Sequence, residues 1–134
     1  MIVVDTNVIA YLWIPGQFTA SAEALVSRDP EWAAPLLWRS EFRSVLAGIL
    51  RRREMNLDTA NRIAERAEGH LRGREFTVGS AEVLTRVEGS RCSAYDCEFV
   101  VLAEELGVPL VTTDRRILVD FSETAVALRD AVGS

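Results

Sequence analysis

Four acidic residues, Asp5, Glu41, Asp96 and Asp114, stand beside apolar segments at widely separated points of the chain. Asp5 follows the apolar run at 2–4, and Asp114 follows a second apolar run that ends in two threonines. A carboxylate next to a core segment is costly unless it has a hydrogen-bonding or cationic partner. Oxygen-only carboxylate sites favour hard cations such as Mg²⁺ or Mn²⁺. With such ions, the four acids would suit phosphodiester hydrolysis without a protein nucleophile.

Three of the four acids also have a structural explanation. Asp5 and Asp114 each lie at the carboxyl end of a predicted strand, where an aspartate often caps the next helix. Asp96 is the last residue of Ser-Ala-Tyr-Asp, which begins at Ser93 and fits a capping box. Glu41 differs, because the i, i+3, i+4 spacing puts it on an apolar helical face, where a glutamate needs a partner. Spacing alone leaves capping and metal binding both open for the three aspartates.

The elements that would position these acids alternate between strand and helix. Strands are predicted at 2–5, 32–34, 75–78, 110–112 and 125–128. Helices are predicted at 6–13, 19 or 21 to 27, 36–53, 57–71, 80–87 with Ser80 as N-cap, 93–106 and 115–118. This alternation predicts an α/β fold with a mainly parallel sheet, in a single domain over residues 1–134. Ligands of such sheets bind beyond the carboxyl ends of the strands, where Asp5 and Asp114 would both lie.

The composition excludes several classes of function. The chain has no lysine among its 134 residues, so a P-loop lysine and a Schiff-base lysine are both excluded. Its net charge of −5 argues weakly against nucleic acid, but only −1 remains once the four acids are set aside. No apolar stretch reaches the roughly 18 residues of a membrane span, and no signal peptide is apparent, which predicts a cytoplasmic protein. The two cysteines, Cys92 and Cys97, are predicted to be structural thiols.

The order of the acids and their sequence context resembles the PIN domain. The matching segments are Val-Val-Asp-Thr-Asn at 3–7, Glu41 on a long helix, Tyr-Asp-Cys-Glu-Phe-Val-Val-Leu-Ala at 95–103, and Val-Thr-Thr-Asp at 111–114. Within that family the chain looks most like the VapC-type toxin ribonucleases of toxin–antitoxin pairs. The resemblance implies a three-layer α/β/α sandwich with a mainly parallel central sheet. It also implies endonucleolytic cleavage of RNA with Mg²⁺ or Mn²⁺, typically by a homodimer that a cognate antitoxin inhibits.

The resemblance implies a role for each acid. Asp5 and Asp96 would be direct metal ligands, and Asp114 would be the next metal ligand. Glu41 would act through a water molecule or as a general base. The four acids would meet in one pocket.

Five further residues are expected around that pocket. By the resemblance, Thr6 and Asn7 would shape it through hydrogen bonds, and Thr112 occupies the family's hydroxyl position two residues before the last acid. Arg115 and Arg116 directly follow Asp114, which predicts that they lie near the pocket mouth. Because guanidinium pairs bidentately with phosphate, these two arginines are the candidate contacts for RNA phosphates.

Two other functions compete with a nuclease. Receiver domains and haloacid-dehalogenase phosphatases also place an aspartate after an apolar strand. Both families use a lysine near the phosphate, and this chain has no lysine. The phosphatases also expect a second aspartate where this chain has Asn7. The other alternative is a catalytically silent PIN-fold module that binds RNA or protein. Four intact acids argue against it, since a buried carboxylate cluster without a use would be costly.

Overall fold

A five-stranded sheet forms the centre of the computed structural model, which describes residues 1–133. The strands are β1 (Ile2–Val4), β2 (Trp32–Pro35), β3 (Glu75–Phe76), β4 (Leu110–Thr112) and β5 (Ala125–Ala127). They lie in the order β3-β2-β1-β4-β5, and every neighbouring pair is parallel. The predicted α/β class is confirmed, and the sheet is wholly parallel.

Eight helices occur within residues 1–133. They are α1 (Thr6–Trp13), α2 (Thr19–Arg28), α3 (Trp38–Arg51), α4 (Leu57–Leu71), α5 (Ser80–Glu88), α6 (Ala94–Leu106), α7 (Arg115–Asp120) and α8 (Leu128–Ala131). Right-handed crossovers place α1 to α4 on one face of the sheet and α5 and α6 on the other. The packing agrees, because α6 lies against β1, β2 and β4, whereas α1 contacts β4 and α4 contacts β2. The expected three-layer α/β/α sandwich is therefore confirmed.

The predicted element bounds differ from the structure in a few places. Helix α3 begins at Trp38 rather than at residue 36, because a turn separates it from β2. Gly79, not Ser80, is the N-cap of α5. The predicted strands at 75–78 and 125–128 end at Phe76 and Ala127. Helix α8 was not predicted, since four residues are too few to carry helical periodicity.

The central strands are buried along their whole length. All residues of β1, β2 and β4 are buried, as their continuous apolar runs predict for a parallel sheet covered on both faces. Both cysteines are free and buried, which confirms the prediction of structural thiols. Within residues 1–133, no helix combines the length and the apolar character needed to cross a bilayer. The packed strands give the residues at their carboxyl ends a rigid base.

Candidate active site

An acidic cleft of about 420 Å³ opens beyond the carboxyl ends of β1 and β4. It is lined by Asp5, Thr6, Asn7, Glu41, Ser44, Val45, Asp96 and Asp114. The four acids predicted from the sequence thus come together, although they are carried by four separate segments of the chain. The position agrees with the rule that parallel sheets bind ligands at this edge.

Asp5 is the most firmly held of the four acids. The backbone N–H of Thr6 donates to its Oδ1 at 2.8 Å, and the hydroxyl of Thr112 donates to its Oδ2 at 2.7 Å. The side chain is buried, with 8% of the residue exposed. Burial raises the pKa of Asp5 from 3.8 to about 6, against the opposing effect of the two hydrogen bonds. Ionised Asp5 is therefore held in place at a cost that a nearby cation would offset.

Thr112 connects two of the acids through a single hydroxyl group. Its Oγ1 donates to Asp5 and accepts from the backbone N–H of Asp114 at 3.0 Å. Asp114 in turn caps α7, because its Oδ1 accepts from the N–H of Ile117 at 3.1 Å. Thr112 is completely buried, so these bonds are shielded from water. The threonine fixes the spacing of β1 and β4 at the cleft as well as the side chain of Asp5.

Glu41 projects from α3 into the cleft, where the hydroxyl of Thr6 donates to its Oε1 at 2.7 Å. Two arginines, Arg39 and Arg43, are equally near in sequence, and Arg39 instead binds Glu75 through two bonds of 2.6 and 2.8 Å. Within residues 1–133, Glu41 has no ion-pair partner. Burial raises the pKa of Glu41, and the charge of Asp96 raises it further. Glu41 is thus partly buried on its helical face, as the spacing predicted, and no arginine among residues 1–133 pairs with it.

Asp96 lies in the first turn of α6, and its backbone N–H donates to the hydroxyl of Ser93 at 3.1 Å. Ser93 is the N-cap, as the sequence predicts. Burial raises the pKa of Asp96, and the charge of Asp114 adds to this effect. Hydrogen bonds with Ser93 and the positive charge of Arg116 act in the opposite direction. The acids therefore repel one another across the cleft, which favours a bound cation.

The capping and cleft roles of the three aspartates occur together. Asp5 and Asp114 are N-caps, and Asp96 takes part in the cap of α6. Each of them nevertheless lines the cleft. The capping explanation therefore does not exclude a functional one. A helix N-terminus also favours the ionised carboxylate, which is the form that binds metal.

The two predicted phosphate-binding arginines lie outside the walls of the cleft. Arg116 is close enough to Asp96 to lower the pKa of that carboxyl. Arg115 lines a neighbouring apolar cavity together with Thr113 and Leu118. Both arginines are exposed, so they are accessible to a ligand that approaches the cleft from solvent. Their contact with RNA stays a prediction.

Two residues near the cleft were not identified from the sequence. Ser44 lines the cleft three residues after Glu41, and this i, i+3 spacing was a signal that could have found it. Glu98 follows Asp96 by two residues. Burial raises the pKa of its carboxyl, and the charge of Glu41 raises it further. The two-residue spacing from Asp96 does not single out Glu98, because residues i and i+2 lie on different faces of a helix. Asn7 also lines the cleft, but the hydrogen bonds through which it was expected to shape the pocket are absent, since its side chain bonds to no other residue among 1–133.

The donor chemistry of the cleft fits a hydrated divalent cation. Its ionisable ligands are all carboxylates, which suit Mg²⁺ or Mn²⁺ rather than zinc. Within residues 1–133, however, no three carboxylate, histidine or cysteine side chains form a ready-made metal-binding group. Mg²⁺ usually takes one or two carboxylates directly and keeps several waters. The arrangement thus fits an ion held partly through water, and it does not form a closed cage of protein ligands.

The fold and the cleft define a parallel-sheet α/β protein with an acidic site at the carboxyl ends of its strands. Residues 2–126 match the profile of the PIN domain family, and the chain belongs to that family. PIN domains are generally nucleases, so the family supports a hydrolase at this coarse level. A comparison with curated protein sequences returned no match.

Two crystal structures are similar to this chain over nearly its whole length. PAE2754 from Pyrobaculum aerophilum is 20% identical, with a TM-score of 0.73, over 97% of this chain and 92% of that one. FitAcB from Neisseria gonorrhoeae is 18% identical, with a TM-score of 0.74, over 96% of this chain and 98% of that one. At these identities the similarity establishes the shared fold.

Proposed function

We propose that the protein is a Mg²⁺- or Mn²⁺-dependent endoribonuclease. The observation that carries the proposal is the convergence of four carboxylates, from four separate segments, in one cleft. Capping accounts for three of them but not for Glu41, which is partly buried without a cationic partner among residues 1–133. A partly buried cluster of this kind is costly unless it binds a cation. Membership of the PIN family supports a nuclease as the use of that cation.

Each acid receives a role in this proposal. Asp5 and Asp96 would bind the ion directly, with Asp114 as the next ligand. When bound, the ion would neutralise charge on the phosphodiester and lower the pKa of a water molecule. Glu41 would orient that water or accept its proton, for which a raised pKa is suitable. The hydroxyl groups of Thr6 and Thr112 would keep two of the acids in fixed positions.

The RNA would approach over the exposed side of the cleft. There, Arg115 and Arg116 would contact its phosphates, because both are exposed and they follow Asp114 directly. Asn7 is an exposed amide on the cleft wall and is free to hydrogen-bond to the ligand. The chain's net charge of −5 opposes RNA binding weakly, and cations that neutralise the four acids would remove most of that opposition. Metal dependence is therefore part of the proposal.

The first prediction is RNA cleavage that depends on both metal and Asp96. Purified protein incubated with mixed cellular RNA and Mg²⁺ or Mn²⁺ is expected to cut it, and EDTA is expected to stop the reaction. Asp96→Asn should retain the fold, because the capping N–H of residue 96 is unchanged, but should lose most of the cleavage. Gel analysis of the RNA measures both. Cleavage that persists in Asp96→Asn would identify a contaminating nuclease and reject the assignment.

The second prediction concerns a toxin–antitoxin pair. The motifs resemble VapC-type toxins, so we propose that the protein acts on RNA in the cytoplasm, as a homodimer silenced by a small cognate antitoxin. Induced expression alone is then expected to slow growth, and co-expression of the antitoxin should restore it. Growth curves measure this, with Asp96→Asn as the matched control. Normal growth at full expression of the wild type would refute the toxin while leaving the nuclease proposal intact.

A catalytically silent RNA- or protein-binding module is the second candidate. It is favoured by the lack, within residues 1–133, of three potential ligands already in metal-binding positions. This module would bind RNA without cutting it at any Mn²⁺ concentration. RNA cleavage in the presence of Mg²⁺ or Mn²⁺ therefore separates the nuclease from the silent binding module.

A further inference from the structure

A second pocket, of about 400 Å³, lies at the outer part of the same edge of the sheet, beyond the carboxyl ends of β2 and β3. Its walls are mostly apolar, and one carboxylate lines it. The residues that matter here are Leu36, Leu37, Phe76, Val78, Leu84 and Glu98. We call it the flanking pocket. Its lining differs from that of the acidic cleft, in which carboxylates and hydroxyl groups predominate.

The flanking pocket and the acidic cleft are neighbours, because α6 lines both, and because α3 lines the cleft while its N-cap residue, Leu37, lines the flanking pocket. The N–H of Glu41 donates to the carbonyl of Leu37 at 3.2 Å, so these residues lie one helical turn apart. Four residues of helix rise by about 6 Å. On α6, Asp96 lines the cleft and Glu98 lines the flanking pocket, two residues later. A ligand held at the acids can therefore reach the flanking pocket with an adjoining group.

Glu98 has no hydrogen-bond donor in the part of the chain that the structure describes. Among residues 1–133 it forms no hydrogen bond or ion pair, and the charge that acts on it is the repulsive one of Glu41. A partly buried carboxylate without a donor is unfavourable. Its missing partner is best supplied by a ligand that carries N–H groups into the flanking pocket.

The apolar walls are open to a flat ligand. Leu36 is 48% exposed and Leu84 is 61% exposed, and Phe76, the last residue of β3, is partly buried and lines the same pocket. Single-stranded RNA is recognised by stacking its bases on aromatic and apolar side chains and by hydrogen bonds to their pairing edges. A base in the flanking pocket would thus have both a surface to stack on and a carboxylate at its edge.

We propose that the flanking pocket binds a guanine base of the RNA, with Glu98 accepting hydrogen bonds from N1–H and N2–H. This inference rests on the proposed ribonuclease function. Guanine alone presents two adjacent donors on its pairing edge, which match the two oxygens of a carboxylate. Adenine and cytosine place a ring-nitrogen acceptor beside their single amino group, and uracil places carbonyl groups on both sides of its N–H. A carboxylate repels these acceptors, so Glu98 is a specificity-determining residue for guanine.

Mapping of the cut sites tests the proposal in the cleavage reaction. Mixed RNA is digested with Mn²⁺ by the wild type, by Glu98→Gln and by Glu105→Gln, and the 5′ ends of the products are sequenced. Glu105 lies exposed on the same helix and provides the matched control. Wild type and Glu105→Gln are expected to favour guanine at one fixed position near the cut by roughly 10- to 100-fold. In Glu98→Gln, cleavage at guanine sites should fall to the level of other sites.

Two results of that mapping would overturn the guanine pocket. One is a wild-type pattern without guanine enrichment, and the other is an undiminished enrichment in Glu98→Gln. In either case cleavage itself still supports the nuclease, so the two proposals fail separately.

Binding of single nucleotides tests the pocket without cleavage. Affinities of the intact protein for 5′-GMP, 5′-AMP, 5′-CMP and 5′-UMP are measured by NMR titration with Mg²⁺ present. The wild type is expected to prefer 5′-GMP by at least about tenfold, and Glu98→Gln should lose this preference. Equal affinities for the four nucleotides, or selectivity that survives in Glu98→Gln, would overturn the proposal. Selective binding of 5′-GMP by a protein that cuts no RNA would retain the pocket and reject the nuclease.

Discussion

Asp5→Asn is expected to lower RNA cleavage roughly 10²- to 10³-fold and, at the same time, to stabilise the metal-free protein at neutral pH. The loss of activity follows because an amide is a much poorer ligand for Mg²⁺ or Mn²⁺ than a carboxylate. The gain in stability follows because the substitution removes a buried negative charge that other carboxylates repel. Opposite changes in activity and stability are expected at a site that holds like charges together.

The size of the stabilisation is limited by the hydrogen bonds around Asp5. A pKa raised from 3.8 to about 6 corresponds to an upper limit of about 3 kcal/mol at pH 7. The amide oxygen can still accept from Thr6, and the amide nitrogen can donate to the hydroxyl of Thr112. That hydroxyl also accepts from the N–H of Asp114, so its own proton would lose its present acceptor. A net gain of about 1–2 kcal/mol is the expected result.

Urea unfolding in EDTA at pH 7 measures the stability, and cleavage of mixed RNA with Mn²⁺ measures the activity. Asp58→Asn is the matched control, because Asp58 is exposed in the first turn of α4 and far in sequence from the cleft residues. Asp58→Asn should leave the free energy of unfolding and the rate of RNA cleavage nearly unchanged. A stability lower than that of the wild type in Asp5→Asn would mean that the lost hydrogen-bond geometry outweighs the removed charge. Full activity would remove Asp5 from the metal site.

The sequence predicted the position of the acids because local signals mark the elements that carry them. Short apolar runs identify β1 and β4 as buried parallel strands, and an aspartate directly after such a strand must lie at its carboxyl end. Helix α6 has signals at both ends: Ser93 caps its start, and Gly107 ends it with a φ of +67°. These signals depend on only a few adjacent residues. The fold class could therefore be derived without knowledge of long-range contacts.

The contacts that complete the site could not be derived in this way. Thr112 and Asp5 are 107 residues apart, and their bond depends on the register in which Val4 pairs with Val111. Local periodicity contains no information on that register. The same holds for Glu98, whose position beside Leu37 depends on how α3 and α6 pack against the edge of the sheet. Sequence patterns therefore located the acids, and the family resemblance added Thr6 and Thr112, but neither gave the partners of these two hydroxyl groups or the apolar walls of the flanking pocket.

Without divalent metal, the protein is expected to lose stability as the pH rises from about 4 to about 6. The folded-state pKa of Asp5 is raised to about 6, so the folded protein keeps this proton after the unfolded chain has released it. Over that interval the unfolded state binds fewer protons, and the free energy of unfolding therefore decreases with rising pH. The contribution of Asp5 has an upper limit of about 3 kcal/mol. The pKa values of Glu41, Asp96 and Glu98 are also raised by burial, and their contributions have the same sign.

Glu75 makes a contribution of the opposite sign, which limits the gain in stability as the pH falls. The hydrogen bonds from Arg39 lower the pKa of Glu75, so its contribution to stability is present above its ordinary value of 4.5 and is lost as the pH falls further. The two trends together predict maximum stability near pH 4 to 5 in EDTA. Many proteins are instead most stable between about pH 5 and 8. The difference follows from the acids of the cleft.

Divalent metal is expected to reverse this dependence, and urea unfolding between pH 4 and 7.5 with EDTA or with Mn²⁺ measures it. An ion at 100 times its dissociation constant stabilises the folded state by about 2.7 kcal/mol, and it binds only the ionised carboxylates. Added Mn²⁺ should therefore have little effect at pH 4 and a large one at pH 7.

Asp5→Asn should flatten the EDTA profile and weaken the response to Mn²⁺, since it removes both the raised pKa and a ligand. A wild-type profile in EDTA that rises from pH 4 to pH 6 would contradict the burial of an uncompensated charge. Stability in EDTA could fall as expected while Mn²⁺ left it unchanged at pH 7. The acids would then be buried and repel one another, but they would not bind this metal.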